Sequence, residues 1–546
     1  MSTPVQIAAI LARIEDATRS ADRVIAINLA VDALRRGVRH PLVWGLVAEG
    51  LEMQGRRPEA LRLLQTSVAA APGEAQAWFR LGRMLFSMDR RVEAREALDR
   101  GLAIAPRDYR ALIDAGTVCL RLGELAAATT HFKRASESDP KVAEPLSALA
   151  VVAALDGDSA SARAFAGRAL ALSPDLVSAQ IAIARADTTE GAPTSAERRL
   201  TALLERTDLT DAQRVDAFDL RAECLDALGR CAEAFEDYAS RNAVTQRLEG
   251  PRLAADGVEG QGDRARRIAA WLQAAPTDGR GPSAGPDTVG AGEARRHVFL
   301  IGFPRSGTTL LEKVLSSHPD IVALEEVDAL GAAANDLLAD DAGLARLATL
   351  TPNDADAPRR AYWRGVRQAL GQPIANRIVV DKMPLHTAAL PLIARLFPDA
   401  RILFALRDPR DVVLSCFRRR FRINAAMFEF LSLEGTARYY DAVMRLAALC
   451  RERHQLALAE VRHEAVVADF DGEVARILDF VGAPWNASVR DFADQARGVA
   501  RTPSTPQVAR GLNADGVGQW RRYRAELASV MPLLAPWVER FGYDPD

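Results

Sequence analysis

His297-Val-Phe-Leu-Ile301 runs straight into Gly302-Phe-Pro-Arg-Ser-Gly-Thr-Thr309, and Leu-Leu-Glu-Lys-Val-Leu-Ser-Ser-His318 follows. A short apolar run that stops at a glycine predicts a buried strand, and the amphipathic stretch after the second glycine predicts a helix. Strand, glycine-bounded turn and helix N-terminus together form a cradle for an anion. Backbone N–H groups and the helix dipole point at whatever occupies it. Gly302 and Gly307 have the spacing of a P-loop, yet Thr308 stands where a Walker A motif would carry lysine. That opposes an ATP-dependent kinase. Arg305, inside the loop, supplies a cation instead, so Arg305, Ser306, Gly307, Thr308 and Thr309 are the first candidate ligand-binding residues.

Further strands are predicted at RIVV (377–380), RILFAL (401–406) and around Val461, with helical stretches between them. Apolar strands alternating with helices predict an α/β domain, P-loop-like, with a largely parallel sheet. Strand 401–406 ends in Arg407-Asp-Pro-Arg-Asp411, then Val-Val-Leu-Ser415 and the basic run CFRRRF. Open α/β sheets bind ligands at the carboxyl ends of their strands, which is where Arg407 stands. Asp408 is placed to cap the next helix, with Pro409 at its first position. Ser415 and Arg419, four apart, should share one face of it. Arg407, Ser415 and Arg419 can then hold a second phosphate by charge-assisted hydrogen bonds. Arg418 and Arg420 read as a solvated basic face.

Upstream the chain changes character. A period of 34 residues aligns Trp44, Trp78, Leu112 and Leu146, and in the same way Pro72, Pro106, Pro140 and Pro174. Small residues keep phase, with Ala48, Gly82, Gly116 and Ala150 in one helix and Ala60, Ala94, Ala128 and Ala162 in the next; Leu64, Leu98 and Phe132 stay in register as well. Each unit predicts a hairpin of two amphipathic helices, brought close by the small residues and ended by the proline. One hairpin cannot bury its apolar face, so neighbours must stack. A weaker fifth unit keeps Ala196 but has Gln180 at the bulky position, and an offset sixth runs through Phe218, Ala222, Leu225, Ala234 and Tyr238. The predicted organisation is an all-α repeat superhelix over 1–249, a linker over 250–296 in which a short helical stretch (RARRIAAWLQAA) precedes a Gly/Pro-rich run, and the α/β domain over 297–546.

The totals restrict the function classes. The 546 residues are 49% hydrophobic and 26% charged, a globular composition, with Lys+Arg 70 against Asp+Glu 72. A net charge of -2 predicts no bulk attraction to nucleic acid or an anionic membrane, so an anion site must be local. Five scattered cysteines without a CxxC pair suggest a reducing compartment and no metal site. The N-terminus lacks the pattern of a signal peptide, and no apolar run is long enough to span a bilayer; a cytoplasmic protein is expected.

The repeat pattern resembles the tetratricopeptide repeat, which implies a protein or peptide partner in a concave groove. FPRSGTT, followed by EKVLSSHP and Glu325-Glu326, resembles the 5′-phosphosulfate segment of PAPS-dependent sulfotransferases, the tyrosylprotein branch above all. RDPRDVVLSCFRRR resembles their 3′-phosphate segment, and the likeness extends over roughly 296–540. It implies PAPS as donor, PAP as product, no metal, and a hydroxyl acceptor: tyrosine, carbohydrate or a small phenol. It also implies Glu326 as the base, with Glu325 as fallback, Lys382 on the bridging or sulfuryl oxygen, and Ser504 touching the sulfuryl group. Where relatives carry an adenine-side tyrosine this chain has His463. Where they often carry lysine it has Gln519, so any 3′-phosphate contact there is either lost or moved to Arg521 or Arg522. The alternative is a repeat scaffold whose C-terminal domain binds nucleotide without turnover.

Overall fold

The computed structural model describes residues 4–20, 22–255, 257, 259–274, 294–496, 508 and 511–546. The chain divides into two compact units, with the boundary between Leu228 and Gly229. In the first, helical hairpins succeed one another: Pro41–Met53 with Arg57–Ala70, Ala75–Ser87 with Arg91–Ile104, Tyr109–Arg121 with Leu125–Ser138, and Glu144–Leu155 with Ser159–Leu172. Val177–Thr189 with Pro193–Leu204 continues the series as the fifth unit. The small residues do what their phase predicts. A Cβ on Gly82 would lie 2.7 Å from Leu98 Cγ, and one on Gly116 2.4 Å from Phe132 Cε1. Pro72, Pro106, Pro140 and Pro174 each stand one residue past the C-cap, where a helix cannot continue.

The second unit is built on five parallel strands in the order β2-β3-β1-β4-β5: β1 Arg296–Gly302, β2 Ile321–Glu325, β3 Ile378–Lys382, β4 Arg401–Leu406 and β5 Ala457–Arg462. β2 is a strand that the sequence reading did not separate from the approach to Glu326. β1 is apolar on both faces because both are covered. Val298 and Leu300 pack toward the helices Thr308–Ser316 and Phe470–Val481, whereas Phe299 meets Tyr362 and Phe397 on the opposite side. Register aligns Leu300 of β1 with Lys382 of β3, Glu325 of β2 with Lys382, and Gly302 with Ala405 of β4. The carboxyl ends of these strands therefore reach one edge together.

The sixth repeat-like stretch is divided by the unit boundary, since the helix Cys231–Ala255 belongs to the second unit. The segment read as linker contains the helix Gln261–Ala274, which packs on Leu433–Arg453. No helix among the described residues is long and apolar enough to cross a membrane, and among them no three or more His, Cys, Asp or Glu side chains are grouped as metal ligands would be.

Candidate active site

β1 ends beside β4 because Gly302 has no side chain: a Cβ there would fall 2.6 Å from the carbonyl oxygen of Ala405. The Thr387 hydroxyl pins the same glycine, accepting from its N–H at 2.9 Å and donating to its carbonyl at 2.6 Å. The chain then curls through two left-handed residues, Arg305 (φ 72) and Gly307 (φ 94), before the helix Thr308–Ser316 begins. Such a curl turns successive backbone N–H groups toward one point, next to a helix N-terminus.

Arg305 is 9% exposed, and its Nε donates to Ser415 Oγ at 3.0 Å. Arg407, from the end of β4, donates through Nη1 to the Arg305 carbonyl at 3.0 Å and through Nη2 to the carbonyl of Gly516. Asp408 caps the next helix, Pro409–Arg418, by accepting from the Arg410 N–H, as its position predicts. Asp411 accepts from the N–H groups of Gly518 (2.7 Å) and Trp520 (2.8 Å) and so lashes the 516–520 segment beside the second loop. Burial, followed by the repulsion of Arg419 and Arg407, pushes the Arg305 guanidinium down to about 9. Arg419 and Arg407 beside it concentrate positive charge here, which an anion would offset.

One cavity gathers Arg305, Gly307, Thr308, Thr309, Arg407, Ser415, Arg419 and His463. Ser306 sits in the same loop, buried, and is not among the residues lining the cavity. Arg419 arrives differently from expectation: the helix stops at Arg418, and Arg419 is extended (φ -89, ψ 141), so it enters from the helix exit rather than from a face shared with Ser415. Arg418 corrects the reading of a solvated face. Its guanidinium lies over the rings of Tyr523 (5.0 Å) and Tyr238 (5.4 Å), donates to Gln519 Oε1 at 3.0 Å, and lines the cavity. Arg521 instead covers the Trp520 ring at 5.0 Å. The cation beside Gln519 is therefore Arg418, which sequence reasoning missed because its aromatic partners lie far along the chain. His463 is half-buried against the loop; a Cβ on Gly307 would sit 2.8 Å from its Nδ1. Burial, then Arg407 and Arg305, push its imidazole down to about 3.

Lys382 and Glu326 form a second cluster at the same sheet edge, outside the lining of that cavity. Lys382 is the last residue of β3, and its Nζ donates to Glu326 Oε1 at 2.9 Å. The Glu326 N–H donates to the Lys382 carbonyl at 2.9 Å, and Glu326 takes a left-handed φ of 53 just past β2. Glu325 points into a buried group instead: Lys313 Nζ lies 3.1 Å from Glu325 and 3.3 Å from Glu312. Of the two adjacent acids, Glu326 is the one left open, with 39% of its side chain exposed. Ser504 lies outside the described residues.

The strand ends of the parallel sheet thus present a cationic cavity beside an acid–lysine pair, an arrangement suited to an anionic ligand. Residues 297–487 match the family model described as Sulfotransferase family, and residues 51–116 match the Tetratricopeptide repeat model. The chain carries a sulfotransferase domain behind a tetratricopeptide array, and it is a transferase. The Protein-tyrosine sulfotransferase 1 of Danio rerio is 27% identical over 267 residues, which cover 45% of this chain and 72% of that protein. The Mus musculus protein of the same name is 28% identical over 267 residues, covering 45% and 70%. An uncharacterized protein of Aquifex aeolicus (strain VF5) is 24% identical over 266 residues, covering 46% of this chain and 34% of its own length.

Proposed function

We propose that the enzyme moves the sulfuryl group of PAPS to an acceptor hydroxyl, with protein tyrosine as the acceptor class. The observation that carries this reading is the convergence of Arg305, Arg407, Ser415 and Arg419 on one cavity. Two loops from neighbouring strands supply two anion sites, which suits a nucleotide bearing phosphate at both its 5′ and 3′ positions. The donor brings an activated sulfuryl group on its 5′-phosphate. The Arg305 loop and the helix N-terminus hold that end, while Arg407, Ser415, Arg418 and Arg419 hold the 3′-phosphate by charge-assisted hydrogen bonds.

Glu326 accepts the proton of the acceptor hydroxyl as a new S–O bond forms, and the bridging S–O bond to the 5′-phosphate breaks. Lys382 Nζ and Arg305 carry the charge that grows on the sulfuryl and leaving phosphate oxygens, so guanidinium and ammonium groups do the work a metal does elsewhere. Similarity to two protein-tyrosine sulfotransferases supports tyrosine as acceptor. The repeats, in this reading, recruit the protein that carries it. Five cysteines without a disulfide support a cytoplasmic setting.

Calorimetric titration with PAP, against ATP–magnesium, tests the donor. PAP should bind and ATP should not; preference for ATP would overturn the reading. Transfer of labelled sulfate from PAPS to tyrosine peptides, compared with small phenols, then tests the acceptor.

A further inference from the structure

Ser415 and Arg418 reach the cavity from the last turn of the helix Pro409–Arg418, and Arg419 leaves from its end. Their placement depends on how that turn is held. The last carbonyls of a helix have no partner within it. Here the Ser415 carbonyl accepts from the Arg419 N–H at 3.2 Å, but those of Phe417 and Arg418 are met from far upstream in the chain. Arg241 donates from Nη2 to the Phe417 carbonyl at 3.0 Å and from Nη1 to that of Arg418 at 2.9 Å. Asn242 Nδ2 adds a third bond, to the Phe417 carbonyl at 3.1 Å.

This clamp is itself fixed. Arg241 is 1% exposed and Asn242 2%, and Asn242 Oδ1 accepts from Arg241 Nε at 3.0 Å and Nη2 at 2.8 Å. One turn earlier on the same helix, Cys231–Ala255, the Tyr238 ring lies 5.2 Å from the Arg241 guanidinium carbon and 5.4 Å from that of Arg418. Phe235 packs on Phe417 with ring centres 4.9 Å apart. A guanidinium at a helix C-terminus also complements the dipole there. All of these upstream residues lie outside the 297–487 matched by the family model.

We propose that Arg241 and Asn242 are positioning residues of the donor site, which hold the Ser415–Arg419 turn in place and thereby set selectivity for the 3′-phosphate. The proposal rests on the reading of this cavity as the donor pocket. Its test uses the full chain, titrated with PAP and with 5′-AMP, which lacks the 3′-phosphate. Arg241→Ala and Asn242→Ala should each weaken PAP by about three- to thirtyfold, the effect of losing hydrogen bonds to buried carbonyls, and leave 5′-AMP within about twofold. Arg241→Lys, which keeps the charge but not the fork, should fall between wild type and Arg241→Ala. If Arg241→Ala does not fold, Asn242→Ala and Arg241→Lys decide. Unchanged PAP affinity in a folded variant, or parallel loss of PAP and 5′-AMP, would overturn the positioning role. A wild-type chain that binds no PAP would overturn the donor reading and this proposal with it.

Discussion

Lys382 Nζ lies 2.9 Å from Glu326 Oε1, and the lysine is fully buried while 39% of the glutamate side chain is open. A buried ammonium needs a partner, and this one has an acid whose other side faces outward. In the proposed reaction the pair joins the cation for the leaving group to the base for the acceptor. Glu326→Gln keeps an oxygen for Lys382 but removes the site for the proton. Turnover should fall by about 10²- to 10⁴-fold, the usual worth of general base catalysis, with PAP affinity within about twofold of wild type. Sulfate-transfer rates and PAP calorimetry on the same preparation check this; a variant at full rate sinks the base assignment.

Arg407 joins three segments: its own strand end, the carbonyl of Arg305 and the carbonyl of Gly516. Arg407→Ala removes a positive charge that lines the cavity and releases the loop from the 516–520 segment. The dissociation constant for PAP should rise about 10- to 100-fold, as for lost hydrogen bonds to a charged group. The KM for PAPS should move with it, and kcat at saturating donor should change much less. Arg407→Lys should recover only part, since a point charge cannot reach both carbonyls. A PAP affinity unaffected by Arg407→Ala would remove Arg407 from the donor site.

What could be read from the chain alone divides along a physical line. The Gly302–Gly307 loop, the Asp408 cap and the repeat hairpins are local. Turn chemistry, a cap or a fixed period specifies each of them, and the structure has them where the residues say. Arg419 was placed in the cavity by a helical spacing that ends one residue too early, so its destination was legible and its route was not. β2 was illegible because IVALE is short and follows a helix without the glycine that marks β1. Arg418 failed for a different reason. Within CFRRRF nothing distinguishes it from Arg420; Tyr238 and Tyr523, which enclose it, come from distant parts of the chain. Arg241 and Asn242 act on carbonyl oxygens, which carry no side-chain signature at all.

Gly307 is constrained twice, by its φ of 94 and by His463 Nδ1 lying 2.8 Å from where a Cβ would stand. Gly307→Ala should therefore lower stability by about 1–3 kcal/mol, the cost of a strained backbone. It should also weaken PAP, because the cradle must open. Adding His463→Ala removes the steric contact but not the left-handed backbone, so the double variant should regain only part of both losses. Thermal unfolding and PAP titration of the single and double variants check this. Full recovery in the double variant would show that His463, rather than the backbone, sets the glycine requirement.

His463 also makes the fold sensitive to acid. Its imidazole sits at about 3 in the folded chain, against an ordinary value of 6.5, because burial and then Arg407 and Arg305 disfavour its charge. The unfolded chain therefore binds a proton below pH 6.5 that the folded chain refuses until about pH 3. Stability is complete above the upper value and declines as pH falls through that window, by up to about 1.4 kcal/mol per pH unit for each such group. His297, pushed down to about 3 by burial alone, adds the same slope from the far face of the sheet. His463→Gln should remove one contribution and leave the other, so that between about pH 7 and about pH 5 the variant loses about 1–2 kcal/mol less than wild type. PAP should act in the same direction in wild type, since its phosphates offset the two arginines and let the imidazole take a proton at less cost. Urea unfolding at the two pH values, with and without PAP, measures both effects. Identical pH slopes for wild type and His463→Gln would mean that the imidazole is not held neutral beside the loop, and a slope insensitive to PAP would detach His463 from the donor pocket.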